Sequence, residues 1–358
     1  MASRFTRLLN GFAILAFAGA MGAALAVAEA KAQQQTPSPD SAKARFGAVT
    51  LPTEAPAQPI GFYAKGCMTG AMALPADGPT WQAMRLSRNR SWGNPAMIAL
   101  LERFSQDAAK YVGWPGILVG DIAQPRGGPM FNGHASHQIG LDADVWLTPM
   151  PSQRLTVEER EDLPFTTMLQ KNKFLTVDPN VWTDSRARLL MLAASYPEVE
   201  RIFVNPAIKK KMCDTWTGDR TNLGKLRPEY GHDSHFHIRL KCPPGAAACK
   251  SQAPVAAGDG CGKPLAWWFT KEPWAPAKPK PGAKPVKPRE VMVSDLPKAC
   301  SAILGAPSVA SVAEATLGGA PSSGTSDPSQ PAAAFVNSTE TGLLPESGPM
   351  PSVRPSDQ

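Results

Sequence analysis

Apolar residues recur with helical spacing in two segments of this chain. Between Asn94 and Tyr111 they occupy positions 97, 98, 100, 101 and 104, with charged residues between them. This spacing predicts a helix, and Pro95 favours its first turn because a backbone N–H there needs no helical partner. The apolar residues at 189–192 and 194 predict a second helix from Ser185 to Tyr196. The run Val199–Val204 after it predicts a strand.

Alternation of apolar and polar residues predicts strands in two other segments. From Leu141 to Leu147 the odd positions are apolar and share one face, which leaves Asp142 and Asp144 on the other. From residue 235 to residue 240 the even positions are apolar, so His235 and His237 project from the opposite face. Each strand is therefore expected to bury one face and to present polar side chains on the other.

The two ends of the chain differ from the middle in composition. Two arginines precede an apolar run at residues 8–27, and small residues follow at Ala28 and Ala30, which predicts a secretory signal peptide over residues 1–32. The run is nearly long enough to be an uncleaved membrane anchor, but its Gly and Ala content and the small-residue sites favour cleavage. Residues 33–58 are mostly Gln, Pro, Ser, Thr and Ala, which predicts a linker.

A single folded domain is predicted over residues 59–275, which hold nearly all aromatic residues and the periodic apolar segments. A Pro-rich arm follows at residues 276–304, and we expect Cys300 to tie it back to the domain. Residues 305–358 are rich in Ala, Ser, Gly and Pro and are predicted to be a disordered tail, because burial cannot offset the entropy of ordering them.

The chain is basic, with a formal net charge of +7 and a pI of about 9.1. Much of the excess comes from five lysines between residues 271 and 287, inside the Pro-rich stretch, and no basic helix with interleaved aromatic residues is present. We therefore expect no nucleic-acid partner. An exported basic protein meets the acidic cell wall or the membrane surface first.

Six cysteines agree with export, because an even count in a secreted chain is typical of disulfides. They lie at positions 67, 213, 242, 249, 261 and 300. Their spacing contains no C-x2-C pair of the kind that holds zinc, and a local bridge could close the turn-rich loop between Cys242 and Cys249. Fifteen pairings remain open at this point.

All five histidines of the chain lie in two short clusters, His134 with His137, and His232 with His235 and His237. Imidazole is the commonest nitrogen ligand of zinc and the readiest proton carrier near neutral pH. Clustering beside Asp142 and Asp144 therefore predicts one metal site built from two segments.

The predicted strand faces assign roles within that site. Gly140 permits a turn that brings His137 over the face of Asp144, and His237 would complete a set of two histidines and one aspartate. Catalytic zinc uses three protein ligands and keeps a fourth position open, whereas structural zinc prefers four closed ligands, usually thiolates. His235 would then act as a base, and Asp142 would orient a ligand as a hydrogen-bond partner.

His134 and His232, taken singly, are either supporting residues of the site or ordinary surface histidines. The chain has no H-E-x-x-H helix, which excludes the zincin arrangement.

Several short segments of the chain resemble the motifs of a known family. The spacing from His137 to Asp144 followed by His235 and His237 resembles the H-x6-D and H-x-H motifs of the lysostaphin, D-Ala-D-Ala peptidase and hedgehog group. The strings at 131–138, 202–209 and 258–262 are similar to those of the penicillin-insensitive murein endopeptidases. The resemblance covers residues 61–300.

The resemblance implies site residues and disulfides. It implies zinc ligands at His137, Asp144 and His237, with His134 as a further metal histidine, and catalytic roles for His235 and His232. The bridges it implies are Cys67–Cys300, Cys213–Cys261 and Cys242–Cys249. The segment 169–174 lacks the Asp and His with which some members hold a second zinc, so we expect one Zn2+ per chain.

With the predicted elements, the resemblance implies an α+β fold. This would be a single domain with a central, mainly antiparallel sheet flanked by helices, stapled by disulfides, with zinc in a cleft on the sheet.

The activity that the resemblance implies is hydrolysis of D-alanyl-meso-diaminopimelyl cross-links of peptidoglycan in the periplasm, insensitive to β-lactams. The alternatives are a zinc D,D-carboxypeptidase acting on free stem peptides and a cell-wall-binding module that keeps zinc without turnover. The partner expected is the cross-linked peptide of peptidoglycan, with no stable membrane span after signal cleavage, and a homodimer is left open. Arg126 and Arg239 are expected either to bind substrate carboxylates or to be ordinary surface charges.

Overall fold

A computed structural model describes residues 37–275 and 289–316. The predicted signal peptide, residues 276–288 of the Pro-rich arm and residues 317–358 of the tail lie outside the described residues. Within the described ranges, no helix is both long and apolar enough to cross a membrane.

The described residues contain short and medium helices and mostly short strands. The helices are α1 (Ala42–Gly47), α2 (Pro95–Asp107), α3 (Val157–Asp162), α4 (Asp184–Ser195), α5 (Pro206–Thr215), α6 (Lys263–Trp267) and α7 (Ala299–Gly305). The strands are β1 (Gln58–Phe62), β2 (Lys65–Thr69), β3 (Met72–Ala73), β4 (Asp77–Gly78), β5 (Trp81–Ala83), β6 (Trp92–Gly93), β7 (Ile117–Val119), β8 (Asp142–Pro149), β9 (Val199–Val204), β10 (Leu226–Pro228) and β11 (His235–Leu240).

The main sheet has seven strands in the order β10-β9-β11-β8-β7-β5-β4. Four of its neighbouring pairs are antiparallel, including both pairs made by β11, and the pairs β10–β9 and β5–β7 are parallel. The predicted α+β class with a mainly antiparallel sheet is confirmed. Strands β8 and β11, which carry the polar faces predicted from the sequence, lie side by side at the middle of the sheet.

The predicted helices are present with small changes at their ends. In α2 the side chain of Asn94 accepts a hydrogen bond from the backbone N–H of Ala96, and Pro95 occupies the first turn. Beyond Asp107 the chain continues as a π turn to Val112 and stops at Gly113, whose φ of 82° suits a residue without a Cβ. Helix α4 and strand β9 match the predicted segments, β9 at both of its ends.

One face of the main sheet forms the core with α2 and α4. Ala143, Val145 and Leu147 of β8 and the even positions of β11 are almost fully buried, as the alternation predicted. Phe104 of α2 makes edge-to-face contacts with Phe236 of β11 and with Tyr196 after α4. Burial of a Leu, Ile or Phe side chain contributes roughly 1.5–3 kcal/mol, so this face holds the site strands in place.

Three disulfides join the pairs that the resemblance implied: Cys67–Cys300, Cys213–Cys261 and Cys242–Cys249. The first joins β2 to α7 across 233 residues of sequence. The described part of the Pro-rich arm, from residue 289, therefore packs on the domain, as expected from Cys300.

The described residues on either side of the predicted domain are also packed. Residues 33–58 were expected to be a linker, but Ala42 and Phe46 of α1 are fully buried against Cys67, Cys300 and Leu296. The expected tail begins at residue 305, yet Ala315 is 5% exposed and its carbonyl accepts a hydrogen bond from Ala73. Apolar positions in α1 are too few for a sequence pattern to reveal this packing.

Candidate metal centre

The polar face of β8 and β11 lies opposite the core, at the centre of the sheet. The antiparallel register places His237 beside Asp144 and Arg239 beside Asp142. His235 and His237 project from the same face, as the two-residue spacing predicted. The two remote segments therefore meet at one place because their strands are neighbours.

His137 reaches this face from the loop before β8. Gly140 has a φ of 71°, and a Cβ there would lie 2.4 Å from Met68 Sδ, so the turn requires glycine. His137 itself has a φ of 66°, a strained conformation of the kind that collects at functional sites. Its Nδ1 lies 2.7 Å from the carbonyl oxygen of Ile122, and its backbone N–H donates to Asp142 Oδ2 over 3.0 Å. With Nδ1 protonated, the lone pair of Nε2 is left for a ligand.

Asp142 is fully buried and holds His237 from behind. His237 Nε2 lies 2.8 Å from Asp142 Oδ1, and Arg239 Nε donates to the same oxygen over 2.7 Å. Burial alone would raise the pKa of Asp142, but the charge of Arg239 and the contact with His237 lower it, so the carboxylate is ionised. Burial lowers the pKa of His237 to about 3, which keeps this imidazole neutral with Nδ1 as its free nitrogen.

Asp144 is the centre of the cluster, with four histidines around its carboxylate. On the Oδ1 side lie His137 Nε2 at 3.5 Å and His237 Nδ1 at 3.7 Å. On the Oδ2 side lie His134 Nε2 at 3.5 Å and His235 Nε2 at 3.8 Å. Burial opposes the charge of Asp144, but the neighbouring histidines outweigh it and hold its pKa well below the usual value.

Two atoms of this cluster are buried without a hydrogen-bond partner, His137 Nε2 and Asp144 Oδ1. Buried polar atoms without partners are uncommon, and a metal ion between them would satisfy both. Two ligand atoms bound at about 2.1 Å to one tetrahedral zinc lie roughly 3.4 Å apart, close to the spacings on the Oδ1 side. His134, His137 and Asp144 also each offer a ligand atom within 4.8 Å of one another. The donor set of imidazoles and a carboxylate fits a divalent metal.

His134 has a second carboxylate partner, Asp121, which no sequence pattern predicted. Its Nε2 lies 3.0 Å from Asp121 Oδ2, to which Arg90 Nη1 also donates over 2.8 Å. Burial raises the pKa of this carboxyl, but His134 and Arg90 outweigh the burial and lower it to about 2. Asp121 belongs to no motif or alternation, and its only sequence signal is its place just after β7.

His232 and His235 lie on the open side of the cluster, with their ring centroids 5.0 Å apart. The His235 side chain is 23% exposed, so a substrate can reach it. His232 Nδ1 lies 2.7 Å from the carbonyl oxygen of Tyr230, and burial together with His235 lowers the pKa of His232. The five histidines predicted to form one site are thus brought together.

Arg126 and Arg239 are neither surface charges nor open to a substrate, so both alternatives considered for them were wrong. Arg126 is 3% exposed and donates to the carbonyl oxygens of Leu304 and Ala306, both at 2.9 Å. Arg239 is 5% exposed and is occupied by Asp142 and by Gln252 Oε1. Apart from Gln252, these partners lie 97 to 180 residues away in sequence, so no local pattern could have revealed these roles.

Comparison with known proteins gives consistent matches over the described domain. A family model described as penicillin-insensitive murein endopeptidase matches residues 59–305. A penicillin-insensitive murein endopeptidase of Haemophilus influenzae is 48% identical over 253 residues, which cover 70% of this chain and 84% of that protein. Proteins of the same description from Klebsiella pneumoniae and Yersinia enterocolitica are 40% and 39% identical, over 72% and 75% of this chain and 89% and 92% of theirs.

Proposed function

This chain belongs to the penicillin-insensitive murein endopeptidase family, and we propose that it is a zinc-dependent endopeptidase that cleaves the peptide cross-links of peptidoglycan. The bond we propose is that between D-alanine and meso-diaminopimelate. The names of the family and of the relatives support a peptidase that acts on murein. The observation that carries the metal is the pair of buried, unpartnered atoms His137 Nε2 and Asp144 Oδ1.

We propose His137, Asp144 and His237 as the zinc ligands. His137 Nε2 lies 3.5 Å and His237 Nδ1 lies 3.7 Å from Asp144 Oδ1. The other nitrogens of the two histidines face Ile122 O and Asp142 Oδ1, which orients both rings. His134 lies on the Oδ2 side with Asp121 behind it, and we propose it as a further metal histidine. One zinc per chain is expected.

Zinc bound there would lower the pKa of a water molecule and polarise the scissile carbonyl. His235, on the Oδ2 side of Asp144 and partly exposed, is proposed to accept the proton of the attacking water and return it to the leaving amine. His232 lies beside His235, and its lowered pKa keeps it neutral near pH 7, so it can hold a polar group of the substrate by a hydrogen bond. No serine takes part in this scheme, so β-lactams have no acyl-enzyme to trap.

Cleavage of murein requires a location outside the cytoplasm. The family to which the chain belongs and the signal peptide predicted over residues 1–32 both favour the periplasm.

Metal removal and one substitution test the proposal on purified, cross-linked muropeptide dimers. We expect a chelator to abolish cleavage and added Zn2+ to restore it. His235→Ala should keep one zinc per chain, measured by elemental analysis, and lose about 10²- to 10⁴-fold in kcat, the range typical of a lost general base. Mass analysis of the products identifies the bond.

Several outcomes would contradict parts of this proposal. Full activity of metal-free protein would exclude the metal mechanism, and loss of zinc in the His235→Ala protein would mean that base and ligand had been exchanged. Consumption of monomeric stem peptides with cross-linked dimers untouched would indicate a D,D-carboxypeptidase, and zinc retention without any turnover would indicate a binding module. Two tightly held zincs per chain would contradict the single site.

A further inference from the structure

Five aromatic side chains, four of them exposed and one half-buried, form a continuous surface beside the candidate metal centre, which we call the aromatic platform. Its members are Phe174, Tyr230, Trp267, Trp268 and Trp274. Phe174 is 62% exposed and Tyr230 46%, and both Trp267 and Trp274 are exposed as well. Large aromatic residues usually lie inside a fold, so a contiguous exposed group of them indicates an interaction site.

The rings of the platform hold one another in fixed, edge-to-face arrangements. Tyr230 lies 4.7 Å from Trp268 and 5.2 Å from Trp274 between ring centroids, and Trp267 lies 5.3 Å from Trp268. Phe174, from the segment between α3 and α4, contacts Trp274 at 5.5 Å. Three separate segments therefore contribute to one preformed surface, and little side-chain entropy is left to lose on binding.

The protein itself engages two of the polar tips of the platform. Tyr230 Oη donates to the carbonyl oxygen of Pro273 over 2.6 Å, and Trp274 Nε1 donates to that of Trp268 over 2.7 Å. What Tyr230 and Trp274 present to a ligand is therefore ring surface. A ligand suited to it offers flat patches of C–H groups, which pack on the electron-rich face of an aromatic ring.

The platform is joined to the candidate catalytic histidines through Tyr230. The carbonyl oxygen of Tyr230 lies 2.7 Å from His232 Nδ1, and His232 neighbours His235. A stem peptide of four residues spans at most about 14 Å. A sugar strand attached to a cross-link bound at the metal centre would therefore lie within reach of the surface next to His232.

We propose that the aromatic platform is a subsite for the sugar rings of the glycan strand to which the cleaved cross-link is attached. The faces of N-acetylated pyranose rings offer the flat C–H patches that Trp and Tyr faces accept, whereas the stem peptide offers amides and carboxylates that require hydrogen-bond partners. This inference rests on the proposed murein substrate, and it adds where the glycan part of that substrate binds.

Two substrates separate glycan binding from peptide cleavage. The first is a cross-linked tetrapeptide dimer that carries its disaccharides, and the second is the same dimer after enzymatic removal of the sugars. In the full chain, Trp274→Ala should raise KM for the sugar-bearing dimer by about fivefold to tenfold, as expected when one stacking ring is lost. We expect kcat for that dimer, and both constants for the sugar-free dimer, to stay within about twofold of wild type.

Trp274→Phe is the matched control, because it keeps a ring at the same position and should keep KM near the wild-type value. Trp267→Ala should repeat the Trp274→Ala effect from another part of the platform. Calorimetry with a tetramer of β-1,4-linked N-acetylglucosamine measures sugar binding without catalysis. Trp274→Ala should weaken the binding of this tetramer by a similar factor.

Failure of the subsite and failure of the proposed function give different results. If the wild-type protein cleaves neither muropeptide dimer, the proposed function is wrong. Calorimetry with the sugar tetramer then tests by itself whether the platform binds sugars. Equal effects of Trp274→Ala on both dimers, or no effect on either together with unchanged tetramer binding, would overturn the subsite. The subsite would also be overturned if the wild-type protein sedimented as two associated copies and the Trp274→Ala variant as a monomer. The platform would then lie between two copies of the protein.

Discussion

At the scale of single residues, the centre depends on which nitrogen each histidine turns toward Asp144. Asp142 decides this for His237: its Oδ1 lies 2.8 Å from Nε2, so Nδ1 faces Asp144. A carboxylate behind a ligating histidine also raises the basicity of that ligand. Asp142 therefore orients the ring of His237, a proposed ligand.

Asp142→Asn should weaken metal binding by about 10- to 100-fold while leaving all the proposed ligands in place. The amide is a poorer acceptor for His237 and leaves the buried Arg239 without its counter-charge. Competition with a fluorescent zinc chelator measures the loss, on protein that circular dichroism shows to be folded. Unchanged affinity would mean that the contact of Asp142 with His237 contributes nothing to metal binding.

Asp77→Asn is the matched control for that substitution. Asp77 also pairs with an arginine, Arg160, at 2.8 Å, but it lies in β4 at the far edge of the sheet and is half exposed. We expect its zinc affinity to equal that of the wild type.

Lys209 is a buried base outside the metal centre. Its Nζ donates to the carbonyl oxygens of Leu223 and Asp259, and it has no exposed surface. Burial lowers its pKa from 10.5 to about 7. Below about pH 7 the folded and unfolded chains both carry this proton, and burying the charge costs stability.

Between about pH 7 and 10, the unfolded chain holds a proton on Lys209 that the folded protein has lost. The free energy of unfolding should therefore rise with pH through this residue, by at most about 1.4 kcal/mol per pH unit. Urea unfolding at pH 7.5 and 9.5 should show a smaller rise in Lys209→Met than in wild type. Lys225, with a pKa lowered by burial to about 8, contributes in the same direction to both proteins and cancels in the difference. An equal rise in the two proteins would show that Lys209 keeps its proton.

At the scale of elements, the alternation of apolar and polar residues on β8 and β11 matches the register in which the two strands pair. On β8 and β11, apolar side chains face α2 and α4, and the pairing of His237 with Asp144 joins the two polar faces. A shift of one residue in this register would turn every polar side chain into the core, so the hydrophobic face specifies the site geometry.

Gly140 is the residue on which the loop between His137 and β8 turns. In Gly140→Ala, the new Cβ would lie 2.4 Å from Met68 Sδ and 2.8 Å from the backbone nitrogen of Asn94, in a left-handed conformation. We expect a loss of about 2–4 kcal/mol in stability, with weaker zinc binding because His137 is displaced. Thermal unfolding and zinc titration measure the two effects.

Gly113→Ala is the control, because Gly113 has a similar φ of 82° but no atom within 4 Å of the place that a new methyl group would take. It should lose only about 1 kcal/mol, the cost of the backbone conformation, with normal zinc affinity. Equal losses in the two variants would mean that close packing at Gly140 contributes nothing.

At the scale of the whole molecule, the centre joins segments that are far apart in sequence. The contact between Asp142 and His237 spans 95 residues, and the Cys67–Cys300 disulfide joins β2 to α7 across 233. Arg126 also helps to hold α7 on the domain, since its guanidinium donates to backbone carbonyls at the end of α7 and just after it. The described residues on both sides of the predicted domain are thus held against it.

Local periodicity was enough to predict α2, α4, β8, β9 and β11, because burying one face of a helix or strand imposes a repeat that is visible in the residue order. The same repeat placed Asp144, His235 and His237 on the polar faces of two strands, and the turn expected at Gly140 brought His137 to them. The cysteine and histidine motifs supported the family resemblance. These features depend on neighbours a few residues away.

Asp121 behind His134, the buried roles of Arg126 and Arg239, the packing of α1 and the aromatic platform became visible only in three dimensions. The partners lie from 13 residues away, for Asp121 and His134, to hundreds of residues away. No repeat in the chain encodes such a contact, because hydrogen bonds and ring contacts require proximity in space and leave the spacing along the sequence free. Chain folding therefore decided which charges face the candidate metal centre and which are paired inside the protein.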